Sequence, residues 1–271
     1  MQGPESRLRW SEVAGMSLVG MILRKVMPVP RPEEFSRALF LGPHPDDIEI
    51  GAGATAARMA AEGKSVTFLV VTDGRFGTEN ADLGLPAEEL ADLREREARR
   101  SAAVLGVTDV RFLRLSDGGF YTDEELRRGI AAVMGEVQPE VVFAPDPAPR
   151  NECHPDHLRV GRAAGELVCF GYNREIFARL GAKPSPARAV AYYMTERPNR
   201  YVRTSGFLAR QRAAIRCHKS QFPPESGALR DVCLYLKLRA AQFGLRSGHR
   251  AAEGFRVLGN AQMHVLSEFG E

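Results

Sequence analysis

Cysteine is scarce in this sequence, and long apolar runs are lacking. The four cysteines include no C-x-x-C pair, which argues against a disulfide framework and favours reduced thiols in the cytoplasm. The apolar stretch at 16–29 is interrupted by Arg24, Lys25 and proline, so we expect neither a membrane span nor a signal peptide. We expect residues 1–36 to be a lead-in segment that packs on the domain or on a partner subunit.

An excess of charge of one sign is also lacking. Basic residues number 37 and acidic residues 34, and a net charge of +3 is too small to indicate nucleic-acid binding. The densest basic run, at 94–100, interleaves arginine with glutamate, and we interpret it, Arg94 included, as a solvated helix face. Hydrophobic residues make up 44% of the chain, which is enough for a core that excludes water from an active site.

Short apolar runs alternate with helical patterns along most of the chain, which predicts an α/β fold with a mostly parallel sheet. The predicted strands are 37–42, 65–72, 109–115, 140–144 and 188–194. The predicted helices are 51–62, 85–105, 122–137, 157–170, 205–219 and 228–243. Because no linker or repeat is visible, we expect a single domain over 1–271, with 205–271 as its helical C-terminal part. An apolar stripe along 228–243 indicates core packing, with packing between subunits as an alternative.

The first predicted strand runs directly into a cluster of ionisable residues. His44, Asp46, Asp47 and Glu49 lie within six residues of one another, at the carboxyl end of a strand. In open α/β sheets this is where ligands bind. Burying so many charges is costly unless something compensates them, and a divalent cation is the simplest compensation.

A second cluster follows the predicted strand at 140–144. Asn151, His154, Asp156 and His157 occupy a strand end of the same kind, so we expect the two loops to meet. Two histidines and one carboxylate, with a fourth position open for water, are typical of a catalytic zinc site. Taken alone, each cluster also fits a capped turn or a helix start. Their pairing at two strand ends favours the metal site.

Together the two motifs resemble the PIG-L (LmbE-like) family of zinc-dependent N-acetylglucosaminyl deacetylases. The resemblance rests on H-P-D-D-x-E-x-G from His44 and on H-x-D-H from His154, and weaker matches extend it over nearly the whole chain. It implies a Rossmann-like fold, helices on both faces of the sheet, and hydrolysis of the N-acetyl group of an amino sugar. The length and the loop after the second strand are most similar to the archaeal-type diacetylchitobiose deacetylases.

The resemblance implies that zinc is held by His44, Asp47 and His157. Zinc lowers the pKa of a bound water to about 7, so hydroxide becomes available at neutral pH. Iron(II) suits the same three ligands, because ligand type alone does not separate the two metals. The resemblance and the apolar stripe at 228–243 together lead us to expect a homo-oligomer.

The resemblance also implies the catalytic roles. Asp46 is expected to be the general base, which takes a proton from water and passes it to the leaving amine. His154 in its charged form is expected to stabilise the developing oxyanion. Asp156 is expected to orient His154 and to favour that charge.

Three residues are candidates for substrate binding by the same resemblance: Arg75, Asp117 and His218. Arg75 and Asp117 suit a polyol, which needs donors and acceptors, although each also fits a surface turn. His218 fits a packed core histidine equally well. These residues suit an N-acetylated amino sugar but do not distinguish chitobiose from thiol precursors, glycolipid anchors or glycopeptide antibiotics.

Other functions fit parts of the sequence. A two-metal phosphoesterase would need a second ordered carboxylate set, which the sequence lacks. A nucleotide-binding module would need a glycine-rich phosphate turn where His-Pro-Asp-Asp lies. A metal-dependent hydrolase of another amide or ester also fits, as does a zinc-bearing sugar-binding protein without catalysis. The presence of Asp46 and His154 argues against the last of these.

Overall fold

The computed structural model describes residues 22–23, 25–77, 83–224 and 226–264. Most of the lead-in segment at 1–36 lies outside these residues. Its last part lies against the domain, where Gln262 Nε2 donates to Met27 O at 2.9 Å and Arg200 donates to the carbonyls of Val29 and Pro30. None of the helices in the described part of the chain is long and apolar enough to cross a bilayer.

One sheet of seven strands organises the described residues. The strands are β1 (Arg37–Gly42), β2 (Ser65–Thr72), β3 (Asp109–Leu115), β4 (Val141–Pro145), β5 (Ala189–Tyr193), β6 (Arg200–Arg203) and β7 (Ala252–Gly259). Their order is β3-β2-β1-β4-β5-β7-β6. The first five strands run parallel, and β7 is antiparallel to both β5 and β6. The predicted α/β fold is confirmed, and the five predicted strands agree to within one residue at each end.

Helices cover both faces of this sheet. Within the described ranges they are α1 (Asp47–Ala61), α2 (Ala87–Leu105), α3 (Asp123–Val137), α4 (Pro155–Cys169), α5 (Arg174–Arg179), α6 (Leu208–Ile215) and α7 (Gly227–Ser247). Alternate side chains of β1 point into two separate cores, because successive residues of a strand face opposite sides. Phe40 packs with residues of α1 and α2, whereas Leu39 and Leu41 pack with residues of α3 and α4. Thr122 caps α3 and accepts a hydrogen bond from Glu125 N at 3.1 Å.

The sequence patterns missed α5, β6 and β7. The expected helical C-terminal part contains α6 and α7, but β7 follows them and inserts between β5 and β6. Glu253 and Gly254 interrupt the apolar residues of β7, so this strand depends on its backbone ladders with two neighbours rather than on local propensity. The apolar stripe of α7 packs on the core at Leu236, Ala240 and Phe243.

The strand order reverses at β1 and β4, which lie side by side. From β1 the chain enters α1 on one face of the sheet, and from β4 it enters α4 on the other. A crevice opens at such a reversal, outside the carboxyl ends of the strands. The loops that carry the two predicted motifs therefore flank one crevice.

A buried carboxylate ties β7 to the middle of α1. Glu253 accepts hydrogen bonds from the backbone N–H groups of Ala54 at 3.1 Å and Thr55 at 2.7 Å. It also accepts one from Gln211 Nε2 at 2.9 Å. Burial raises the pKa of Glu253 to about 7 and outweighs these hydrogen bonds, which lower it.

We predict that Glu253 destabilises the protein as the pH rises from about 5 to about 7. The unfolded chain loses this proton near its ordinary pKa of 4.5, whereas the folded chain keeps it to about pH 7. Unfolding therefore releases a proton in this window, and a higher pH favours it, by about 3 kcal/mol at most. Urea denaturation at pH 5, 6 and 7 measures the effect. The fall in the free energy of unfolding should be smaller in Glu253→Gln, but unchanged in Glu175→Gln at an exposed control site. Equal slopes for Glu253→Gln and the wild type would contradict the prediction.

Candidate metal centre and active site

The first loop joins β1 to α1 in a tight turn. Gly42 ends β1, and a Cβ atom there would lie 2.9 Å from Ile48 Cγ1, so the turn requires glycine. Asp47 opens α1, four residues before the predicted start, since an acidic first turn complements the helix dipole. His44 N donates to Asp47 Oδ2 at 2.8 Å, which fixes the carboxylate under the turn.

The second loop joins β4 to α4. His154 is the N-cap of α4, and its Nδ1 accepts a hydrogen bond from Asp156 N at 3.3 Å. Pro155 follows at the first helical position, where no N–H group is needed. The helix thus begins two residues before the predicted position, and His157 projects from its first turn.

Three donor atoms from the two loops form a small triangle. Asp47 Oδ2 lies 2.9 Å from His44 Nδ1 and 3.3 Å from His157 Nε2, and the two nitrogens are 3.3 Å apart. Ligands of a tetrahedral zinc ion, at bonds of about 2.0 Å, lie about 3.3 Å from one another. The three predicted metal ligands are therefore brought together at separations that fit a divalent cation.

The electrostatics of the triangle also suit a cation. Burial alone would lower the pKa of His44, but neighbouring carboxylates outweigh it and raise that pKa well above its ordinary value. Burial likewise opposes a charged His157, yet Asp47 raises the pKa of His157 to about 9. The two imidazoles in turn hold the pKa of Asp47 well below its usual range, against its own burial. Positive charge is stabilised at this point, and a metal ion supplies it when it displaces the protons.

Two carboxylates hold the far side of the His44 ring. His44 Nε2 lies 3.2 Å from Asp117 Oδ1 and 3.2 Å from Asp156 Oδ2. Gly118 N also donates to Asp156 Oδ2 at 2.9 Å. A carboxylate on the second nitrogen of a metal-binding histidine fixes its tautomer and orientation. Asp117, expected to bind substrate, is therefore turned to His44.

Asp156 contacts His154 chiefly through its backbone, and its carboxylate lies between His154 and His44. The Asp156 carboxylate is 3.7 Å from His154 Nδ1 and closer to His44, because its backbone N–H already occupies Nδ1 in the helix cap. Burial and the neighbouring His44 and His157 lower the pKa of His154, so a charged His154 is disfavoured as well. The ring stands edge-on to His44, with centroids 4.5 Å apart, and is the most exposed of these three imidazoles.

Asp46 is buried beside the triangle and faces an arginine. Arg94 Nη2 lies 3.5 Å from Asp46 Oδ1, and Arg94 Nη1 donates to Gly74 O at 2.8 Å. Arg94 is therefore buried, and its interpretation as part of a solvated helix face is wrong. The glycines of the loop after β2 leave the space that Arg94 occupies, since a Cβ atom at Gly74 or Gly77 would lie within 3 Å of the guanidinium.

The other two substrate candidates have partners of their own. Arg75 is bound to Asp73, with Nε 2.9 Å from Oδ2, and to Glu88, with Nη1 2.8 Å from Oε1. It lies partly exposed on the loop after β2. His218 is only 1% exposed and lies 3.5 Å from Glu49 Oε1, so its expected contact with substrate is corrected to a place in the packed interior.

Glu152 is a residue of the site that the sequence patterns missed. Its Oε2 lies 2.9 Å from His157 Nδ1, and its Oε1 accepts a hydrogen bond from His154 N at 2.8 Å. One carboxylate thus holds the ring of one histidine and the backbone of the other. An acidic residue two positions before His154 was the available signal.

Several known proteins are similar to this chain in sequence and in structure. The profile of the family described as "PIG-L: GlcNAc-PI de-N-acetylase" matches residues 39–168. The diacetylchitobiose deacetylase of Thermococcus kodakarensis is 35% identical to this chain over 236 residues, which are 86% of each protein. The chain belongs to the PIG-L family. The predicted family resemblance is confirmed.

Other PIG-L proteins are similar over different lengths. A 1D-myo-inositol 2-acetamido-2-deoxy-alpha-D-glucopyranoside deacetylase of Kineococcus radiotolerans is 34% identical over 196 residues, 60% of this chain and 54% of that protein. The solved structure of the N,N'-diacetylchitobiose deacetylase from Pyrococcus horikoshii is 31% identical, covers 97% of both chains and has a TM-score of 0.81. The enzymes of the PIG-L family are metal-dependent. This agrees with the position of His44, His154 and His157, whose possible ligand atoms all lie within 4.8 Å of one another.

We predict that Glu152→Ala weakens Zn²⁺ binding by about 10- to 100-fold, the usual effect of removing a carboxylate behind a metal-binding histidine. Without the carboxylate, His157 Nδ1 loses the partner that orients its ring. Competition with a chromophoric chelator measures the dissociation constant. Glu196→Ala is the matched control, because Glu196 holds the same loop through Arg150 N at 3.0 Å. A dissociation constant within twofold of the wild type in Glu152→Ala would overturn the assignment.

Proposed function

We propose that this chain is a zinc-dependent amidohydrolase that removes the acetyl group from an N-acetylglucosamine unit of a sugar. The observation that carries the proposal is the triangle of His44 Nδ1, Asp47 Oδ2 and His157 Nε2 with Asp46 beside it. The reaction class follows from membership of the PIG-L family, in which the relatives described above are deacetylases of N-acetylated sugars.

Zinc is the metal that we assign to the triangle. His44, Asp47 and His157 would hold it and leave a fourth position open, as in catalytic rather than structural zinc sites. When bound, the ion supplies Lewis acidity, which polarises the amide carbonyl and acidifies water. Iron(II) suits the same donors, so metal analysis belongs to the test.

Asp46 is the residue that we assign as the general base. The Arg94 guanidinium beside Oδ1 and the turn into α1 hold its carboxylate in one place. A carboxylate fixed in this way can take a proton from the attacking water and pass it to the leaving amine.

His154 is assigned to the amide oxygen. Because Nδ1 accepts the cap hydrogen bond from Asp156 N, the neutral ring carries its proton on Nε2 and can donate from there. Such a donor stabilises the negative charge that develops on the carbonyl oxygen. A neutral donor suffices for this role, and the charged form expected from the sequence is not required.

The substrate we favour is a disaccharide of the diacetylchitobiose type, on the strength of similarity over nearly the whole chain to two enzymes of that name. We further propose that residues 1–271 act as one domain, since β7 from the C-terminal part completes the sheet begun by β1. The four free cysteines support a cytoplasmic location for it. Self-association through α7 is supported by its exposed apolar residues Leu234, Leu238 and Leu245.

The test is acetate release by zinc-loaded protein from N-acetylglucosamine, N,N'-diacetylchitobiose and N-acetylglucosaminyl-inositol. We expect turnover of at least one of them and a fall in kcat of about 10²–10⁴ in Asp46→Ala, the usual contribution of a general base. Zinc content should stay at one ion per chain. Asp231→Ala, at an exposed site on α7, is the control.

Two outcomes would contradict this proposal. Zinc-loaded wild type that hydrolyses none of the three sugars would leave another amide or ester as substrate, or a sugar-binding protein without catalysis. Retention of activity within tenfold by Asp46→Ala would remove Asp46 from the role of base.

A further inference from the structure

Two exposed phenylalanine rings stand together at the rim of the metal centre. Phe76 is 51% exposed and Phe120 is 74% exposed. Their centroids are 6.2 Å apart, and their planes meet at 81°. Phe76 comes from the loop after β2 and Phe120 from the loop after β3, so two separate segments converge to present apolar rings to solvent.

This pair is continuous with the metal centre. Phe76 N donates to Asp117 Oδ2 at 3.3 Å, while the other oxygen of Asp117 lies 3.2 Å from His44 Nε2. A single carboxylate therefore joins the backbone of Phe76 to a metal-binding imidazole. Gly118, the residue after Asp117, lies against both rings, since a Cβ atom there would be 3.2 Å from Phe120 Cε2 and 3.9 Å from Phe76 Cδ2.

The loop that carries Phe120 is held rigidly. Arg159 Nη1 donates to Gly119 O at 2.9 Å and Nη2 donates to Tyr121 O at 2.7 Å, so the carbonyls on both sides of Phe120 are fixed. The same guanidinium lies 4.1 Å over the Tyr121 ring. The backbone that presents the Phe120 ring at the surface is therefore fixed before a ligand binds, which lowers the entropy cost of binding.

The exposed area limits what can cover the pair. A phenylalanine offers about 200 Å², so the two rings together expose roughly 250 Å². A stable protein interface buries about 800 Å² on each partner, which is about three times as much. The pair alone is therefore too small for a stable protein interface, and a small ligand such as a sugar ring suits it better.

We propose that Phe76 and Phe120 form a platform for the pyranose ring next to the N-acetylglucosamine unit that is deacetylated. This inference rests on the proposed function and adds which side chains bind the second sugar ring. The C–H groups on one face of a pyranose carry partial positive charge, and the face of an aromatic ring is negative, so the two attract. The platform selects substrates that carry this neighbouring ring, whereas the metal centre acts on the N-acetylglucosamine unit itself.

The test compares substrates that differ by one ring. For N,N'-diacetylchitobiose, Phe120→Ala is expected to raise KM about tenfold with kcat within twofold. For N-acetylglucosamine, kcat/KM should stay within twofold, because the single ring does not reach the platform. Phe120→Trp, which keeps an aromatic face, should restore the KM for the disaccharide. Phe170→Ala, at an exposed phenylalanine just beyond the opposite end of α4, is the matched control.

Three results would overturn the platform. Equal losses for both sugars, or no loss for either, would show that Phe120 does not contact a second ring. An effect that grows with the length of the N-acyl group would assign the rings to an acyl chain. A changed oligomeric state of the double variant Phe76→Ala/Phe120→Ala, measured by light scattering, would assign them to a subunit contact.

Calorimetric binding to Asp46→Ala separates the platform from the proposed function. In that background, Phe120→Ala should weaken binding of N,N'-diacetylchitobiose about tenfold and leave binding of N-acetylglucosamine unchanged. If the wild type hydrolyses none of the three sugars of the acetate-release assay, the proposed function fails. The difference in binding still decides for or against the platform.

Discussion

The parallel ladder between β1 and β4 is the constraint on which the site depends. Three residue pairs form it, and within it the rings of Phe40 and Phe143 stack with centroids 4.1 Å apart. A slip of one residue along a strand would shift one loop past the other by about 3.3 Å. That shift equals the separation of Asp47 Oδ2 from His157 Nε2, 3.3 Å, so the ladder register sets the geometry of the triangle. Burial of both strands on both faces protects that register.

Charge balance is the second constraint. The carboxylates of Asp47, Asp117 and Asp156 all lie within 3.2 Å of one imidazole, and Glu152 lies behind the other ligand histidine. Burying this much negative charge is unfavourable without a counter-charge. Arg94 supplies one beside Asp46, and a divalent cation would supply the other at the triangle. The same groups that make the site bind metal therefore also make the loops depend on it.

The sequence predicted the elements whose information is local. Continuous apolar runs marked the five parallel strands, and two short motifs marked the loops of His44, Asp47 and His157, because these residues lie next to the strands that position them. The resemblance then named the three as candidate metal ligands. The sequence did not predict β7, whose polar and glycine residues become a strand only against its neighbours. Nor did it predict that Asp117 and Arg94 face the centre, since each reaches it from a different loop or helix. Nor could it show that the backbone of Asp156 bonds His154 while its carboxylate lies closer to His44.

His154 has two duties, as the cap that starts α4 and as the imidazole nearest to solvent. Asparagine, aspartate and serine are the strongest helix caps. Each of them could therefore cap α4 in place of His154, but none would supply an imidazole. Substitution of His154 by asparagine, aspartate or serine would therefore remove the imidazole and keep the start of α4 intact. Alanine here would weaken the helix as well as the chemistry. Under the role proposed for His154, the residue at this position would separate chains that keep only the helix cap from chains that keep the imidazole as well.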